Sequence, residues 1–209
     1  MKRAALSAIL LMIIAVGSSQ AAVHISIFGG YALPTQKNYA QAFAYGAGLS
    51  FDLHRYFAIE LSGFRYETAV AGAADGLSKG TLAVLPLEVS LKGQFPLSGG
   101  RFTPYFAVGA GYSIYQFSLD SQLVAGWEKV GFSITEKLDN AIGFHFGAGL
   151  EIALNKSLAL VFEAKYRLAE ANAAWTMTDQ TSQEEISGSL EKLDQGSIVL
   201  GIGLKFSLR

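Results

Sequence analysis

Four glutamates and four bases carry most of the chemistry this sequence offers. Glu60, Glu88, Glu151 and Glu163 stand at alternate positions of otherwise apolar or small-residue runs, and so do Lys92, Lys165, Arg167 and Lys205. Paired carboxylates are the raw material of general acid–base catalysis. Here each acid has a base on the same parity, and charges withdrawn from water pair or suffer desolvation. A structural charge network on one shared inner surface is the expectation. An ion path or a proton-sensitive gate is the sharper alternative. The three histidines add little: His24 begins a run, His54 sits in a short turn, and His145 falls on the glutamate-bearing face. Metal-ligand spacings, phosphate loops and nucleotide motifs are missing from the sequence, so neither metal nor cofactor is expected.

The elements that would position these charges start after residue 21. Met1-Lys2-Arg3 is a basic start, Ala4 to Val16 is apolar except for Ser7, and Ser19 and Ala21 occupy the −3 and −1 places of a cleavage site. Residues 1–21 read as a secretory signal peptide and 22–209 as one mature domain. Without Lys2 and Arg3 the chain has 14 basic and 17 acidic residues, a net charge of −3 that argues against nucleic acid. There is no cysteine, and no run of 18 apolar residues follows residue 21. A transmembrane helix is therefore not expected. Yet hydrophobic residues make up 51% of the chain, so an exported protein must place much apolar surface somewhere other than water.

The period of the pattern is two. In Leu158 to Leu168, one face carries Leu158, Leu160, Phe162, Ala164, Tyr166 and Leu168, while Glu163, Lys165 and Arg167 lie on the other. A strand sends these sets to opposite sides of a sheet. Eight such segments are expected, at about 23–32, 41–53, 56–67, 80–94, 102–117, 140–154, 157–170 and 195–208. Most have the 9–11 residues or more that a tilted strand needs to cross a bilayer. The links alternate in length. Short ones lie near 54–55, 96–100 and 155–156, and longer ones span 33–40, 68–79, 118–139 and 171–194. Short inner turns and long outer loops belong to an all-β, eight-stranded antiparallel up-and-down transmembrane β-barrel.

The two faces decide between a soluble and a membrane barrel. A soluble barrel would point its apolar face inward and its charges out. Here the acids and bases share a face with most strand glycines, as a narrow crowded lumen requires. The apolar face then meets lipid, with Tyr45, Tyr56, Tyr66, Tyr112 and Tyr166 expected near strand ends or on the lipid side as interfacial aromatics. Arg65 breaks the pattern, since it falls on the lipid parity. It either snorkels from the outer end or is turned inward with Glu67 by a bulge at Gly63, and the bulge is the preferred reading.

The chain resembles small Gram-negative outer-membrane β-barrel proteins of the OmpA/OmpX-like superfamily in their single-domain form. The residues carrying the resemblance are Thr103 to Tyr112, Phe146 to Glu151 and the Leu158 to Arg167 strand, and it extends over essentially all of 22–209. It implies a β-barrel in the cell outer membrane. It also implies a C-terminal assembly signal, a glycine followed at +3 and +5 by hydrophobic residues. Gly201, Leu204 and Phe206 fit, and so do Gly203, Phe206 and Leu208, although the family usually ends in an aromatic residue and this chain ends in Arg209. Expected partners are outer-membrane lipid and lipopolysaccharide, and periplasmic chaperones and the barrel-assembly machinery during biogenesis.

The resemblance does not select an activity. A non-enzymatic barrel displaying loops for envelope integrity, adhesion or host contact is the first expectation. A narrow pore for small solutes through the charged lumen is the second. A lipid A-modifying enzyme comes last, because relatives of that kind use histidine with Ser or acidic partners at the outer rim or lipid face, and no histidine here falls in a long outer loop. Segment 170–194 holds six acids against Lys192 alone, a net −5. Such a loop is solvated surface, a cation-bridged contact with lipopolysaccharide phosphates, or a site for a basic partner. Trp127 and Trp175 stand in the third and fourth outer loops as candidate anchors for an extracellular partner.

Overall fold

Alternating apolar and small or charged residues form strands throughout the computed structural model, which describes residues 22–73 and 76–208. The expected signal peptide, 1–21, lies outside the described residues. The elements in order are β1 (Val23–Pro34), β2 (Ala42–His54), β3 (Phe57–Val70), β4 (Gly80–Gln94), β5 (Phe102–Leu119), α1 (Ser121–Lys129), β6 (Phe132–Leu138), β7 (Ala141–Ala153), β8 (Leu158–Asp179), β9 (Glu185–Asp194) and β10 (Ser197–Leu208). A short 3-10 turn, Ser98–Gly100, lies between β4 and β5.

Eight of these strands close a ring. The hydrogen-bonded order β10-β1-β2-β3-β4-β5-β7-β8 returns to β10, and every neighbour is antiparallel. The seam pairs β1 with β10 from Val23↔Leu208 to Pro34↔Ser197. Closure leaves no strand edge in the ring, which satisfies every backbone group where lipid offers none. The expected eight-stranded barrel is thus present, and the structure adds two strands beyond it. Segments 118–139 and 171–194, expected as loops, hold α1, β6, the outer part of β8, and β9. β8 runs 22 residues and pairs with β6 and β9 above the ring, in a separate three-stranded sheet.

The turns at the other end are tight, as expected. β2 and β3 are joined by Arg55 and Tyr56. In the turn between β4 and β5, Gly99 and Gly100 have φ of 69° and 89°, a region that glycine enters at no steric cost. Between β7 and β8, Asn155 accepts the Ser157 amide at 2.8 Å.

The outer wall is apolar. Ile27, Phe43, Tyr45, Val89, Phe106, Phe144 and Ile202 are each half or more exposed, or nearly so, as residues facing lipid must be. On β8 the band runs from Leu158 to Leu168, long enough to cross hydrocarbon at a tilt. Beyond it the polarity of the faces inverts. The outward positions become Glu170 and Asn172, and the inward positions become Ala169, Ala171 and Ala173, all buried. β3 inverts at the same level. Its outward residues change from Ile59 and Leu61 to Arg65 and Glu67, while Phe64, Tyr66 and Val70 are buried inside.

This inversion corrects two expectations. No bulge occurs at Gly63: Ala47↔Gly63 and Tyr45↔Arg65 continue one register with β2, as do Gly63↔Leu87 and Tyr66↔Val84 with β4. Arg65 stays on the outer wall and its guanidinium donates to Glu67 on the same face. Lying past the end of the apolar band, the pair needs no inward turn. Tyr66 is not an interfacial residue; it is 3% exposed and points into the barrel.

Candidate functional site

All eight charged residues singled out by parity lie inside the ring. Lys92 donates to Glu60 at 2.6 Å, from neighbouring strands β4 and β3. Lys205 of β10 reaches Glu151 of β7 at 2.8 Å. Glu88 of β4 meets two bases of β8 across the lumen, Lys165 at 2.9 Å and the Arg167 Nε at 2.9 Å. Lys165 also contacts Glu163 at 3.2 Å. Side chains of Glu88, Lys165 and Arg167 are 1%, 3% and 4% exposed, so these are dry pairs rather than surface ones.

Several interior residues missed by the charge pattern complete the layer. The Tyr105 hydroxyl donates to Glu163 at 2.8 Å, and its ring sits 4.4 Å below the Lys92 ammonium. Arg167 donates to the Ser113 hydroxyl at 2.7 Å. His145 Nε2 bonds the Ser90 hydroxyl at 2.8 Å, and Nδ1 lies 3.8 Å from Glu88. Near the inner end, His24 lies between Asp52 at 2.8 Å and Ser207 at 2.9 Å, tying β1 to β2 and β10. All of these share the inward parity of their strands, and for the polar ones among them that parity is the signal that finds them. The glycines make the room. At Gly149 a Cβ would fall on the Tyr105 phenol and the Phe162 carbonyl.

Above the charges lies a second, apolar stratum. Phe64, Tyr66, Leu82, Val84, Tyr115 and Val199 are each at most 6% exposed, and Phe64 carries Arg167 at 5.4 Å over its ring. The void left in the charged layer, between Glu60, Lys92, Tyr105, Glu151, Glu163 and Lys205, is about 40 Å³. That holds roughly three water molecules. Among the described residues no group of three or more His, Asp or Glu side chains is arranged to hold a metal.

The outer assembly is built on β8. Asp120 caps α1 by accepting from the Gln122 and Leu123 amides at 3.0 and 3.3 Å, and it pairs with Lys79 at 3.3 Å. The Leu123 amide, with Lys79 beside it, holds the Asp120 carboxyl below the usual carboxylate range. Glu136 of β6 accepts the Ser78 amide at 3.1 Å and so fastens the β3–β4 link. Burial pushes the Tyr39 phenol of the β1–β2 link up, and its oxygen accepts from Gln195 at 3.1 Å. Both tryptophans are in this region. Trp127 lies on α1, edge-on to Phe132 at 6.3 Å, and Trp175 lies on β8 with its ring over Gly188. The residues of the expected assembly signal lie on β10, with Leu204, Phe206 and Leu208 on the lipid-facing parity and Gly201 and Gly203 on the inward one.

The sequence matches the model of the outer membrane protein beta-barrel domain over residues 4–206. No curated protein matches it in sequence. In fold it is similar to the outer membrane protein OprG from Pseudomonas aeruginosa, at 19% identity over 88% of this chain and 96% of that one, with a TM-score of 0.60. It is similar also to Neisserial surface protein A, at 11% identity over 91% and 100% of the two chains and a TM-score of 0.60. The outer membrane protease OmpT from Escherichia coli shares the architecture at 8% identity, over 92% and 100%, with a TM-score of 0.53. At these identities the likeness is one of fold, and it spans proteins of different activity. With its closed antiparallel ring, its apolar wall and its match over nearly the whole sequence, the chain belongs to the outer membrane protein beta-barrel domain family and resides in the outer membrane.

Proposed function

We propose that this protein is a closed, non-catalytic barrel whose filled interior holds the wall rigid while its outer sheet is displayed at the cell surface, for envelope integrity, adhesion or host contact. One observation carries this reading: the lumen is occupied at two levels, by paired charges around a void of about 40 Å³ and then by packed aromatic and aliphatic side chains. Glu88 with Lys165 and Arg167, and Glu151 with Lys205, act as internal cross-links between strands that are not neighbours in the ring, while Glu60 and Lys92 tie the adjacent β3 and β4. The histidines argue against catalysis at the outer rim, since His24 and His54 lie at the turn end and His145 is enclosed in the barrel. Residues 1–21 direct export and are removed. The β10 strand, with Gly201, Gly203, Leu204, Phe206 and Leu208, presents the assembly machinery with its signal before the seam with β1 closes. Lipopolysaccharide surrounds the outer half of the wall.

Planar-bilayer recording on the refolded chain 22–209 tests the reading. A barrel so filled gives no resolvable conductance steps. Steady ion-selective steps that change when Glu88 or Lys165 is replaced would overturn it in favour of a narrow pore through the charged lumen. Incubation with lipid A and with peptides, read by mass spectrometry, should show no turnover.

A further inference from the structure

Outside the ring, the sheet β6–β8–β9 has two unlike faces. Ser133, Thr135, Thr176, Thr178, Ser187 and Ser189 share one parity and make it polar. On the other, Ile134, Met177 and Ile186 stand in one row across the three strands. Phe132 continues that face and packs against Trp127 of α1, while Trp175 lies flat over Gly188. Low on the same face Leu138, Ala173 and Leu193 are buried. Higher up it is only partly covered among the described residues: Ile134, Trp175 and Met177 are half-buried, Ile186 is 63% exposed, and Trp127 on the flanking α1 is 36% exposed. An apolar row on a displayed, water-facing sheet marks a contact surface.

Charge names the occupant. Segment 170–194 bears six acids against Lys192, and no basic residue occurs from Trp175 to Leu190. Asp179 and Glu184 meet at the β8–β9 tip next to the apolar row, and Glu185 stands at the same tip on the polar parity, opposite Thr178. A second copy of this chain would bring the same net −5 and be repelled, and phosphate-bearing lipid would be repelled as well. We propose that the Ile134–Met177–Ile186 face, flanked by Trp127 and Trp175, docks a cationic amphipathic peptide segment. Its apolar side chains lie along the row, and its lysines or arginines meet the acidic tip. The inference rests on the surface-display reading above and names the partner class for it.

The two tryptophans are the only ones in the chain, so its emission reports on this face alone. The full mature chain, folded in phosphatidylcholine nanodiscs, is titrated with an alternating Lys/Leu peptide of about a dozen residues, against Lys/Ser and Glu/Leu peptides and empty discs. The expected result is a saturable blue shift and reduced acrylamide quenching with Lys/Leu alone. Its affinity should fall about tenfold on raising salt, as counter-ions screen the tip. Ile186→Ser and the pair Glu184→Gln, Glu185→Gln should each weaken it about tenfold while the barrel keeps its heat-dependent gel mobility. Equal binding of Lys/Ser or Glu/Leu would overturn the proposal, and so would an unmoved spectrum, or a shift produced by protein concentration alone, which would mean self-association. If the peptide fails and the barrel still does not conduct, only this inference falls. If the barrel conducts, the display reading falls with or without binding.

Discussion

Replacing Glu88 by Gln would leave two cations facing a neutral amide in a site where the carboxylate is 1% exposed. Lys165 would retain Glu163, and Arg167 would retain the Ser113 and Ser197 hydroxyls and the Phe64 ring. Removing one partner of a buried pair costs about 3–5 kcal/mol. Urea unfolding of E88Q in lipid should therefore show a midpoint well below that of the parent with an unchanged slope. Glu60→Gln, which disturbs one cation, should cost less. A loss for E88Q under about 1 kcal/mol, the range of exposed pairs, would mean that water reaches the site. Asp120 offers a test in water. Its carboxyl titrates below the ordinary range, so its cap on α1 is complete above pH of about 4 and is lost only as pH falls through the lowered folded value. In a Trp175→Phe background, Trp127 emission should change only in that acidic window. Asp120→Asn, which still accepts the amides, should abolish the transition, and Asp120→Ala should show the frayed spectrum at every pH. The charged residues were legible in the sequence because a charge on a lipid-crossing strand has one place to go. Tyr66 and Tyr105 were not, because an aromatic suits the lipid boundary and the lumen equally, and only the register separates the two.

Strand pattern was legible where lipid enforces it and faded where lipid ends. Between Leu158 and Leu168 the outward face must be apolar, and the alternation is plain. Past Glu170 the same strand continues with its apolar residues inward, so a reader tracking the apolar face sees the pattern break and infers a loop. β6 is only seven residues long and mixes Ser, Thr, Glu and Lys with its apolar positions. β9 is interrupted by a register shift between Ala171 and Ala173 on its partner. Both were hidden for that reason. Because both strands pair only with β8 and neither joins a ring ladder, replacing 175–189 by a short turn should leave ring closure intact. The shortened chain should keep its heat-dependent gel shift and strand-rich circular dichroism; loss of either would mean that the outer sheet is needed to fold the barrel. Gly149 makes the opposite prediction. Gly149→Ala would drive a methyl into the Tyr105 ring, and such overpacking costs about 1–3 kcal/mol. The lowered urea midpoint should persist in a Tyr105→Phe background, because the Phe162 carbonyl and the ring itself still crowd the methyl.

At the scale of the whole molecule, three layers follow one another along the barrel axis. The paired charges come first, the packed aromatics and aliphatics second, and the three-stranded sheet with its helix last. Long outer and short inner links were enough to deduce the ring, because an up-and-down barrel is the simplest closure they permit. The apolar stratum was not deduced, since a lumen was expected to be polar throughout. Local stability should follow these layers. Amide hydrogen exchange in nanodiscs should be slowest in the ring strands, especially β4, β5 and lower β8, and fast in β6 and β9. Equal protection of β9 and lower β8 would contradict the division.

The single uninterrupted strand β8 has a mechanical meaning. At about 3.3 Å per residue its 22 residues form a spar of roughly 70 Å, reaching from the inner turn to the surface tip. A load applied to the tip is not absorbed in a slack loop. It passes down the spar and is shared in shear by the ladders to β7 and β10, with Lys165 and Arg167 as rivets to the opposite wall. The envelope would therefore feel a tug at the surface as tension across the barrel's own seam.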